Sequence, residues 1–78
     1  MATTINQEID ARGSFCPGPL MEMIRAIRES SVGQTVAVLS KDPGSRTDIP
    51  AWVAKARHEM VAIEDLDGYT RFVVTKAR

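Results

Sequence analysis

The residue in this sequence best suited to covalent chemistry is Cys16, the only cysteine. It stands in Gly13-Ser14-Phe15-Cys16-Pro17-Gly18-Pro19, where a strand-like pattern gives way to a helical one. Pro17 and Pro19 preset φ and stiffen the backbone just after the thiol. Proline suits the first turn of a helix, because the N–H it lacks has no intrahelical partner there. Cys16 is therefore expected at, or just before, a helix N-terminus. The positive end of a helix dipole favours thiolate over thiol, and thiolate is the reactive form. The prolines also remove amide donors, so the dipole and nearby charges would stabilise the thiolate more than N–H···S bonds. A free cysteine is commonly a small buried hydrophobe. The Cys-Pro-Gly-Pro setting favours an exposed, activated thiol on a small scaffold, used to carry something.

The flanking elements must hold that turn in place. Residues 5–11 alternate Ile5, Ile9 and Ala11 with polar residues, which predicts a strand. Leu20, Met23, Ile24 and Ile27 repeat at helical spacing, with Glu22, Arg25, Arg28 and Glu29 on the other side, where Arg25 can pair with both acids. Ser30, Ser31 and Gly33 end this helix. Thr35 to Leu39 reads as a central strand buried on both faces. A loop from Lys41 to Arg46 follows, rich in turn formers. A second helix is expected to open near Thr47 or Asp48, either of which can cap it, with Pro50 in its first turn. Ile49, Trp52, Val53 and Ala56 form its apolar stripe. Met60 to Ile63 begins a third strand, Asp67-Gly68 signals a hairpin, and Tyr69 to Thr75 is the fourth strand, with Phe72 and Val74 on one face and Val73 on the other.

The predicted order is β-α-β-α-β-β: an α/β (α+β) two-layer sandwich, with two helices on one face of a four-stranded mixed sheet, as a single domain over residues 1–78. Short strand–helix–strand crossovers imply parallel neighbours with right-handed connections. If the first two strands are parallel, the Cys16 turn and the Asp42–Asp48 loop share one sheet edge, the edge that ligand sites in such sheets favour. From there Arg46 and Lys41 would lower the thiol pKa, and Asp42 and Asp48 would oppose them. His58 follows the second helix and should lie at the opposite edge, which argues against a Cys16–His58 dyad.

Composition narrows the function classes. A chain of 78 residues buries only about 60% of its unfolded surface, so a surface site fits better than a deep, enclosed one. Ten basic and ten acidic residues cancel; no global field draws the chain to nucleic acid or membrane. One cysteine and one histidine leave no internal disulfide, no CxxC site and no zinc-type ligand set. The N-terminal stretch lacks the basic start and apolar run of a secretory signal, and no apolar segment approaches membrane-spanning length. The expected compartment is a reducing cytoplasm, where a lone thiol stays free. Met21 lies off the apolar stripe and, with Arg25, is a candidate for partner contact beside the thiol. Trp52 reads as core.

These residues resemble the TusA/SirA-like sulfur-carrier family over nearly the whole chain. Cys16-Pro17-Gly18-Pro19 fits the family's Cys-Pro-x-Pro motif at the start of the first helix, with Asp10 and Gly13 in the usual lead-in. The Asp42-Pro43 loop with Asp48-Ile49-Pro50-Ala51-Trp52 fits a second signature. His58-Glu59 and Tyr69-Thr70-Arg71-Phe72 fit a third. The chain departs from the pattern at Arg57, where the family often has glycine, and at Ser14 and Phe15, where a small or aliphatic pair is usual. The resemblance implies a two-layer α/β sandwich and a Cys16 that accepts sulfane sulfur as a persulfide and passes it on, with no cofactor beyond that covalent sulfur. It implies a donor protein, either a cysteine desulfurase or a rhodanese-like enzyme, and an acceptor such as a DsrE-type sulfurtransferase. Pathways in the family include tRNA thiolation, sulfur oxidation, molybdenum-cofactor supply and selenium metabolism. The family fold also resembles the C-terminal domain of translation initiation factor three. A regulatory or RNA-binding module with a dispensable cysteine is therefore the alternative, against which zero net charge and few aromatics stand. A thiol-redox protein is a third reading, and would need glutathione or a second protein to resolve its single thiol.

Overall fold

The computed structural model describes residues 5–14 and 18–78. The elements are β1 (Gln7–Asp10), α1 (Gly18–Glu29), β2 (Thr35–Ser40), α2 (Ser45–Ala56), β3 (Glu59–Leu66) and β4 (Tyr69–Thr75). They form one four-stranded mixed sheet in the order β1-β2-β4-β3, with β1 parallel to β2 and β4 antiparallel to both β2 and β3. The predicted element order, mixed sheet and two-layer packing all hold. The core joins Met23, Ala26 and Ile27 of α1 and Ile49 and Val53 of α2 to Val36, Val38, Phe72 and Val74 of the central strands. Those strand residues alternate, so both helices cover one face.

Strand placement differs from the sequence expectation in one respect. β2 and β3 are parallel, as a strand–helix–strand unit requires, but they are not neighbours; β4 lies between them. The reason is burial. β4 buries Phe72 and Val74 on the helix face and Val73 on the other, so it suits the interior of the sheet. β3 carries Glu59, Glu64 and Asp65 and has a bulge between Met60 and Ala62, both features of an edge strand. The free face of the sheet is screened by long side chains. Arg71 lies between Glu8 at 3.4 Å and Glu64 at 3.6 Å, with its Nε buried and lacking a hydrogen-bond partner.

The second helix also begins earlier than expected, at Ser45, with Gly44 as N-cap and no side-chain cap. Backbone bonds build its first turn instead: the N–H groups of Ser45, Arg46 and Thr47 donate to the carbonyls of Asp42, Pro43 and Gly44. The Ser45 hydroxyl is buried against that of Ser40 at 2.9 Å, which anchors the helix start to the end of β2. Pro50 thus falls inside the helix rather than in its first turn.

At its other end α2 stops at Arg57, whose φ of 63° and ψ of 38° are left-handed. Any side chain with a Cβ is strained there, which gives the family's usual glycine at this position a physical reason. Arg57 is exposed. Arg57→Gly is expected to raise stability by about 0.5–1 kcal/mol, the relief of strain exceeding glycine's greater unfolded-state entropy. An unchanged or lower urea midpoint would contradict this. Next to it, His58 Nδ1 accepts the Ala77 N–H at 3.1 Å, and the ring lies 5.6 Å from that of Trp52. Burial, then Lys76 and Arg78, push the His58 pKa down. Both favour the neutral ring, whose Nδ1 accepts that bond and ties the C-terminal segment to the end of α2.

Candidate functional site

The parallel pairing of β1 with β2 and the antiparallel pairing of β4 bring three connections to one sheet edge. These are the turn after Asp10, the loop after Ser40, and the hairpin between Leu66 and Tyr69. The N-termini of α1 and α2 lie at the same edge, and His58 lies at the other, as the topology predicts. Phe15, Cys16 and Pro17 lie outside the described residues. The described residues on either side of them, Asp10–Ser14 and Gly18–Pro19, frame the site.

On the N-terminal side, Asp10 ends β1 and is clasped by Arg12. The guanidinium Nε and Nη2 donate to the two carboxylate oxygens at 2.8 and 2.7 Å, and the Arg12 backbone N–H donates to Oδ1 at 3.1 Å. These hydrogen bonds, led by those from the side chain, lower the Asp10 pKa to about 2, with Lys41 adding a weaker pull. The carboxylate is ionised at any pH near neutral. Arg12 in turn stacks on Tyr69, its Cζ 4.8 Å from the ring centroid. Ser14 then donates its N–H to the Ala11 carbonyl at 3.0 Å, closing the turn.

On the C-terminal side, Gly18 opens α1 and Pro19 is buried in its first turn. Gly18 lies hard against Ser14: a Cβ placed on it would come within 2.9 Å of the Ser14 Cβ. The two residues that bracket Phe15-Cys16-Pro17 therefore touch, and only glycine fits at 18 while Ser14 stays where it is. Alanine is ordinarily the better helix former, yet Gly18→Ala is expected to cost about 1–2 kcal/mol through overpacking. Adding Ser14→Gly should restore most of the loss. A double variant no more stable than Gly18→Ala would disprove the contact.

Arg46 pairs with Asp65 of β3, across a groove lined by Lys41, Asp42, Pro43, Leu66 and Tyr69. Its charge is shared with that carboxylate, as the charge of Arg12 is with Asp10. Met21 is 62% exposed and lines a shallow groove on α1 with Glu22, Ile24, Arg25 and Arg28. Arg25 pairs with Glu22 at 3.0 Å and Glu29 at 3.7 Å, as its spacing predicts. Arg28 has no ion pair among the described residues. The sequence reading passed over Arg12 and did not single out Tyr69. The Asp10-x-Arg12 spacing hints at the clasp, but the partner ring lies 57 residues further along the chain and two strands away.

Among the described residues no cluster of His, Cys, Asp and Glu could hold a metal ion, and no helix is long and apolar enough to cross a membrane. Comparison with known proteins agrees with the fold. A SirA-like protein from Desulfitobacterium hafniense, solved by crystallography, superposes with a TM-score of 0.78 over 92% of this chain and 99% of its own, at 22% identity. That likeness is one of fold. A candidate sulfur carrier protein of Archaeoglobus fulgidus is 53% identical over 70 residues, 90% of this chain and 96% of its own. The sulfur carrier protein TusA of Pseudomonas syringae pv. syringae is 34% identical over 73 residues, 94% of this chain and 87% of its own. The family described as Sulfurtransferase TusA matches residues 7–76. With that family matched over residues 7–76 and a relative at 34% identity covering 94% of the chain, the chain belongs to the TusA/SirA-like sulfur-carrier family.

Proposed function

We propose that this protein carries sulfane sulfur as a persulfide on Cys16 and relays it between a donor and an acceptor protein. The observation that carries the reading is the placement of the residues bracketing Cys16, at the N-terminus of α1 on the edge where three connections converge. The Cys16 thiolate attacks the outer sulfur of a donor persulfide. The donor's S–S bond breaks, its thiolate leaves, and Cys16 becomes a persulfide. An acceptor thiolate then attacks the outer sulfur, and Cys16 leaves as thiolate. Each step exchanges one S–S bond for another, so no external oxidant or reductant is needed.

The donor class is a cysteine desulfurase or a rhodanese-like enzyme, and the acceptor a DsrE-type sulfurtransferase. The exposed face of α1 beside the site supports protein partners. Met21 and Ile24 supply apolar contact and Arg28 an uncommitted cation, which suits an acidic partner surface. Arg25 is already engaged with its own helix. The reading places the protein in the cytoplasm, where the thiol stays reduced.

Intact-protein mass spectrometry tests this. The reduced protein is incubated with a cysteine desulfurase plus cysteine, and separately with a rhodanese plus thiosulfate. The expected result is a gain of one sulfur atom that dithiothreitol removes. A thiol that alkylates freely yet gains no sulfur from either donor would overturn the reading.

A further inference from the structure

The turn leading into the Cys16 segment is fastened to a distant part of the sheet. Asp10 ends β1, and Tyr69 opens β4, with β2 between the two strands. Arg12 spans that distance, its guanidinium edge on Asp10 and its face on the Tyr69 ring. An exposed ion pair by itself contributes little to stability. A two-pronged carboxylate clasp combined with ring stacking does something else: it fixes the guanidinium plane and hence the path of the backbone that bears it. That backbone continues directly to Ser14, which lies against Gly18 at the start of α1. The hairpin bearing Tyr69 is thereby coupled to the lead-in of the thiol segment.

We propose, resting on the carrier reading above, that Arg12 is a positioning residue, with Asp10 and Tyr69 as its clamp, fixing the turn from Ala11 to Ser14 out of which the chain runs to Cys16, so that partner proteins meet the thiol from a fixed base. Its action is geometric. Asp10 offsets the charge of Arg12, so the pair brings little net charge to the thiol. The shape of the guanidinium matters, and its charge alone does not suffice.

Three variants separate shape from charge. Arg12→Lys keeps the charge and loses the planar fork and most of the stacking. Tyr69→Leu removes the ring and keeps an apolar side chain. Tyr69→Phe keeps the ring face that the guanidinium meets. Arg12→Lys and Tyr69→Leu are expected to lower kcat/KM for loading by a cysteine desulfurase about tenfold and to speed amide exchange at Ser14. Tyr69→Phe should match the wild type in both. The pH profile of Cys16 alkylation by iodoacetamide should not move in any of them. Arg12→Lys loading at the wild-type rate, while the wild type loads normally, would refute the clamp and leave the carrier reading intact. A shifted alkylation profile would show that Arg12 acts through charge and would equally refute it. A wild-type protein that takes no sulfur from either donor class refutes the carrier reading and this role together.

Discussion

Cys16→Ser is expected to fold and melt as the wild type does and to gain no sulfur from any donor. The loss follows from chemistry. A serine hydroxyl is not ionised near neutral pH and forms no S–S bond, so thiol–persulfide exchange has no first step. The retained stability is the more informative half. If the thiol were a core packing group, burying a hydroxyl in its place without a partner would cost about 1–3 kcal/mol, a visible fall in melting temperature. Wild-type melting with abolished loading identifies the thiol as a surface reagent. A variant that still gains a dithiothreitol-labile sulfur would sink the mechanism. One that loses loading only because it is unfolded would return Cys16 to the core.

Phe72→Ala should have the largest effect on stability, about 3–5 kcal/mol. Phe72 is 0% exposed and the largest of the fully buried side chains among the described residues. It stands in β4 opposite Val38 on one side and Ile63 on the other, within the cluster that joins both helices to the sheet. Its removal opens a cavity where the two layers meet, and a chain this short has few other contacts with which to fill it. Domains are stable by only about 5–15 kcal/mol, so the variant should be partly unfolded at physiological temperature. The site would be lost with it, because β4 carries Tyr69 and holds the hairpin at the site edge. Urea denaturation measures the change. A midpoint within error of the wild type would mean that the core is not organised around this ring.

Much of the fold is legible in the sequence because its signals are local. Alternation of apolar residues marks β1 and β4, helical spacing marks α1 and α2, and Asp67-Gly68 marks the hairpin, where Gly68 has the positive φ of 82° that the turn demands. The start of α2 was not legible, because no side chain caps it and the buried Ser40–Ser45 hydroxyl contact, which draws the helix back to Ser45, looks in sequence like two ordinary loop serines. Nothing in an arginine announces the left-handed conformation at Arg57; only the glycine usual in the family at that position hints at it.

Residue order alone determined the alternation of strands and helices, the parallel β1–β2 pair implied by a short crossover, and a lone thiol before a proline-stiffened helix start. These depend on period, turn chemistry and chain length, which are properties of neighbouring residues. Tertiary structure decided which strand takes the centre of the sheet, because that choice compares the burial of β3 and β4 against the same helices. It also decided that Arg12 meets Tyr69 and that Ser14 meets Gly18. Those contacts arise only once separate segments are brought to one edge, and no local pattern encodes the distance between them.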